Sequence, residues 1–108
     1  MGIMNILLSE DSFRRTLDNI TKNYSEPNFT LFSVIKIAEF SINGVNYGAY
    51  IKCIVHCKGE IDYCFNIYAC CDEEEITSPE GYEIENYRNV SETYKAALQL
   101  AQKQFEKR

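Results

Sequence analysis

The chain has no tryptophan, two prolines, five glycines and one histidine in 108 residues. Scarce proline and glycine exclude a linker or a low-complexity repeat. One histidine rules out the HExxH helix, and no GxGxxG, GxxxxGK[ST] or GxSxG stretch occurs. A basic excess is also missing: eleven Lys and Arg stand against sixteen Asp and Glu, a net charge of −5. Direct nucleic-acid binding needs a basic stripe to neutralise phosphates, and anionic membranes attract basic segments, so neither partner is expected. No long apolar run exists. The opening "MGIMNILLSEDS" has no basic start, and Ile6 stands where a myristoylation signal wants Ser or Thr. A soluble, cytoplasmic protein is expected, with its five cysteines as thiols.

What is present is a 45% hydrophobic composition, enough for one folded core. A single α+β domain is expected over residues 1–108. Ser9 can cap a helix that Glu10 and Asp11 favour in its first turn. Phe13, Leu17, Ile20 and Tyr24 then recur at helical spacing, which predicts a helix from Glu10 to Asn23, stopped by Pro27. Phe29 to Ile42, Val45 to Lys58 and Ile61 to Cys71 are rich in β-branched and aromatic residues. Asn43-Gly44 between the first two is a type I′ hairpin signal. A three-stranded antiparallel meander follows. Tyr82 and Ile84, alternating with Glu83 and Glu85, offer a fourth, short edge strand. Ser91 then caps a second helix with Tyr94, Ala97, Leu98, Ala101 and Phe105 on its buried stripe. The order is α-β-β-β-α.

The turns set a register. A two-residue turn at Asn43-Gly44 puts Phe40 opposite Tyr47, Val34 opposite Cys53 and Phe32 opposite Val55. A three-residue turn at Lys58 to Glu60 puts Cys53 opposite Phe65 and Ile51 opposite Ile67. One inner face then carries Phe32, Val34, Phe40, Ile51, Cys53, Val55, Phe65 and Ile67. Lys36 interrupts it; a bulge, or a lysine reaching the sheet edge, would account for that. The other face carries Ile35, Ile37, Tyr50, Ile54 and Tyr68, with Ile37, Tyr50 and Tyr68 in one row. A sheet face this apolar should be covered. The cover is a helix on that side or the N-terminal "IMNILL", a homodimer or partner interface, or a ligand.

Metal and thiol chemistry find little support. Cys53 and Cys57 share a face but lie about 13 Å apart on a strand, too far to hold one zinc ion, and Cys70 and Cys71 point to opposite faces. No metal or other cofactor is expected. His56 lies opposite Asp62 and diagonal to Cys64, so a small thiol enzyme around Cys64 and His56 is one alternative. A cross-strand His–Asp pair is the plainer reading.

The α-β-β-β-α order resembles the double-stranded-RNA-binding domain, and "YKAALQLA" resembles the small-residue stretch of that family's last helix. Where that family clusters lysines this chain has Ser91, Glu92, Thr93 and Tyr94, with Lys95 alone basic. The distinctive segment lies just before this helix. Asp72, Glu73, Glu74, Glu75, Glu80, Glu83 and Glu85 are seven of the sixteen acids, interleaved with Tyr82 and Tyr87. A solvated loop is the plain reading. Anchored between a strand and a helix, the same carboxylates would attract a basic protein surface. In size and acidity the chain resembles small inhibitors from phages and mobile elements, including anti-CRISPR proteins. The expected function is therefore a non-enzymatic protein-binding module that inhibits a nucleic-acid-handling complex, with Asp72 to Glu85 and Tyr87 as contacts. The alternative is a homodimer paired through Ile35, Ile37, Tyr50, Ile54 and Tyr68.

Overall fold

Residues 4–22, 28–58, 60–71 and 86–106 are described by the structure, a computed structural model. The expected segment from Asp72 to Glu85 lies outside the described residues. The elements are β1 (Asn5–Ile6), α1 (Glu10–Lys22), β2 (Asn28–Ile42), β3 (Val45–Lys58), β4 (Glu60–Cys71), β5 (Asn86–Tyr87) and α2 (Val90–Glu106). The five strands form one antiparallel sheet in the order β1-β2-β3-β4-β5. The α+β expectation holds, with two short edge strands added to the meander.

Local chemistry explains the boundaries. Ser9 caps α1, its Oγ accepting from the Ser12 amide at 3.2 Å. The cap of α2 is Asn89 rather than the expected Ser91: Asn89 Oδ1 accepts from the Glu92 amide at 3.1 Å. The hairpin between β2 and β3 turns on Asn43 (φ 51°) and Gly44 (φ 80°), the positive pair that a type I′ turn requires.

Both helices pack on one face of the sheet, not one on each side. Phe13 of α1, 0% exposed, meets Phe65 of β4 at 6.1 Å and Tyr94 of α2 at 6.2 Å between ring centroids. Leu17, Ala97, Leu100 and Ala101 fill the same cluster over Ala49, Ile51, Cys53 and Ile67. Leu100 is buried more deeply than the expected Leu98, which packs at the margin. Phe105 meets Phe40 edge-on. The Tyr94 hydroxyl donates to the Leu8 carbonyl at 2.7 Å, tying α2 to the entry of α1. "IMNILL" does not fold over the opposite face. Its Asn5 and Ile6 pair with Glu39 and Ala38 at the edge of β2.

The register departs from expectation at one point. Ile42 faces Val45 and Phe40 faces Tyr47 as expected, and every expected β3–β4 pair is present. Between Lys36 and Ala38 a bulge inserts Ile37. Beyond it Val34 faces Lys52 and Phe32 faces Ile54, in place of Cys53 and Val55. A one-residue slip turns every side chain to the other face. Unbulged, Lys36 would stand beside Ile51 in the core. With the bulge it faces Tyr50, its ammonium 3.4 Å from Glu39 and 6.0 Å from the Tyr50 ring centroid. Sparing a buried ammonium favours the bulge.

Candidate protein-binding face

The bulge decides which residues the helix-free face presents. Ile35 and Ile37, expected on that face, are 7% and 0% exposed and belong to the helix-side core. Phe32 and Val34 take their place, at 69% and 42% exposure. The cross-strand rows along this face include Asn28–Lys58–Glu60, Thr30–His56–Asp62, Phe32–Ile54–Cys64, Val34–Lys52–Asn66, Lys36–Tyr50–Tyr68 and Glu39–Gly48–Cys70.

The two ends of this face differ. At one end Tyr50 and Tyr68 stack at 5.6 Å with Cys70 beside them, all at most 4% exposed. Gly48 lies beneath the Tyr50 ring, where a Cβ would come within 2.7 Å of it. The expected interface tyrosines are therefore packed interior, and Cys70 is not an accessible thiol. At the other end Phe32 and Val34 stand open, with Ile54 and Cys64 half-buried beside them. Sequence reasoning missed Phe32 and Val34; the signal was Lys36, a charge at a core position of an otherwise unbroken alternation.

Two residues of the thiol alternative, His56 and Asp62, sit opposite each other on β3 and β4, but their side chains engage other groups. The Asp62 carboxylate accepts two bonds from Arg88, at 2.9 and 3.1 Å. His56 Nδ1 shares a hydrogen bond with the Thr30 hydroxyl at 3.1 Å. The expected His56–Asp62 pair is thus a backbone pair whose side chains turn to other partners. Among the described residues no cluster of His, Cys, Asp or Glu has the geometry of a metal site. No helix among them is long and apolar enough to cross a membrane.

Of the expected contacts in the acidic segment, Asp72, Glu73, Glu74, Glu75, Glu80, Tyr82, Glu83 and Glu85 lie outside the described residues. Tyr87 lies within them. It pairs with Phe65 in β5 and packs half-buried against the helix-side core.

The helix-side core holds two groups that titrate late. Burial pushes the Cys53 thiol from 9.0 up to about 12. Burial also raises Tyr94, with the Glu10 carboxylate adding to the effect. Each keeps its proton in the folded chain at a pH where the unfolded chain would release it. The Cys53 contribution to stability is complete below pH 9 and is lost as pH rises toward 12; that of Tyr94 is complete below its ordinary value of 10 and is lost above it. Thermal melts should be level from neutral pH to 9 and fall above it, less steeply in Cys53→Ala. An equal fall in that variant would remove Cys53 from the account.

No protein-family model, no curated protein and no solved structure matches this chain.

Proposed function

We propose that this protein is a non-enzymatic binding module that docks on a basic protein surface, that of a nucleic-acid-handling complex, and inhibits it. The observation that carries the reading is the helix-free sheet face, open at Phe32 and Val34 with Ile54 half-buried between strands, while both helices occupy the other side. Exposed apolar side chains ringed by polar ones mark contact surfaces. The seven carboxylates between Asp72 and Glu85 supply the negative field that steers a basic partner, standing in for phosphates. This is the mode of small acidic inhibitors from phages and mobile elements, to which the chain is similar in size and charge.

Affinity capture from a host lysate at two salt concentrations tests it. A basic partner should be retained at low salt and weakened at high salt. Replacing Glu73, Glu74 and Glu75 with Lys should weaken capture by about tenfold or more, as a charge reversal facing like charge. Ile54→Lys, in the central strand, should weaken it at both salts. Binding that is indifferent to the acidic triple change would refute the electrostatic part. Indifference to Ile54→Lys would refute the sheet face.

A further inference from the structure

One part of this sheet lacks the protection that edges normally carry. β1 covers β2 only near Ala38 and Glu39, and the Ile37 carbonyl accepts from the Leu7 and Leu8 amides. From Thr30 to Ile35, β2 has no strand on its far side among the described residues. Natural sheets blunt such edges with charge, proline or a bulge. The six residues Thr30 to Ile35 contain none of these, in a chain that is 25% charged. The opposite edge of the sheet, by contrast, carries Glu60 and Asp62 on β4.

We infer that this edge pairs with the same edge of a second copy, antiparallel about a two-fold axis at Phe32, so that two sheets become one. Three observations select a second copy as the occupant. First, the edge is neutral, so identical copies meet there without like charges face to face. Second, its ends are symmetric about residue 32. In the sequence Pro27, with no amide hydrogen to give, stands five positions before Phe32, and the Ile37 bulge with β1 docked on it stands five positions after. An antiparallel partner centred there sets each stop against the other. Third, the register joins like faces. Phe32 meets its counterpart and Thr30 meets Val34 on the open side, while Leu31 meets Ser33 on the helix side. Aromatic and β-branched pairs of this kind stabilise sheets. Six residues span about 20 Å, and Phe32 brings on the order of 100 Å² per copy. That is well short of the roughly 800 Å² per partner of a standard interface, so the dimer should be reversible and concentration-dependent.

Light scattering and amide hydrogen exchange across about a hundredfold range of concentration test it on the full chain. The expected result is a monomer–dimer equilibrium with alternate amides of Thr30–Ile35 protected only in the dimer. Phe32→Glu, which sets two carboxylates against each other, should leave a folded monomer. Added salt should preserve or strengthen the dimer by screening its like net charges, whereas it weakens capture of a basic partner, so the two readings fail separately. A monomer at every concentration would overturn the inference. So would a dimer whose Thr30–Ile35 amides stay unprotected, since that dimer stacks face to face.

Discussion

Ile35→Glu should unfold the protein or nearly so, while Phe32→Glu should leave it folded. The two positions are three apart on one strand, and an unbulged register predicts the opposite outcome. With Ile37 bulged, Ile35 is 7% exposed within the helix-side cluster and Phe32 is 69% exposed on the other face. A carboxylate at position 35 would be buried without a partner, at a cost of about 3 kcal/mol or more. Domains of this size carry about 5–15 kcal/mol in all. At position 32 the carboxylate meets water, and the change should stay within about 1 kcal/mol, the span of strand propensities. Urea titrations of both variants decide the matter. If Phe32→Glu proves the destabilised one, the bulge is misplaced, and with it both proposed surfaces.

Phe13→Ala is the second large effect. Phe13 is fully buried and joins three elements, through Phe65 of β4 and Tyr94 of α2. Truncating a buried phenylalanine costs about 3–5 kcal/mol, because the cavity adds to the lost transfer energy. The melting temperature should fall by roughly 12 °C or more. Phe105, half-buried near the end of α2 with Phe40 as its ring contact, should cost much less when replaced by Ala. A larger loss at Phe105 than at Phe13 would mean that α1 is not part of the central core.

Both helices and all three long strands were legible in the sequence because each carries its own period and its own punctuation. Asn43-Gly44 set one turn, and the expected turn at Lys58 to Glu60 gave the right β3–β4 register, although Lys58 and Glu60 themselves pair at the strand ends. The bulge was visible only as Lys36 out of place, since alternation reports which residues share a face but not where the face changes. Ile35, Ile37, Phe32 and Val34 were all misassigned for that single reason. Tyr50 and Tyr68 were on the right face, but periodicity cannot tell an exposed row from a buried one. Placing both helices on one side was beyond the sequence too, because an amphipathic helix records only that it has a buried stripe, not which side of a sheet receives it. The Asn89 cap was missed because Asn and Ser two residues apart both serve as caps.

The hydrogen bond from Tyr94 to Leu8 spans 86 residues, and it bears on the order in which the molecule can be made. The whole sheet emerges from a ribosome before α2 does. Until residues 90–106 follow, Ala49, Ile51, Phe65 and Ile67 lack the larger of the two helices that cover them among the described residues. The nascent chain therefore holds these apolar sheet residues without α2 from the end of β4 until residues 90–106 are made, and the helix-side core closes late. Such an intermediate is the kind that chaperones recognise and that aggregates when crowded.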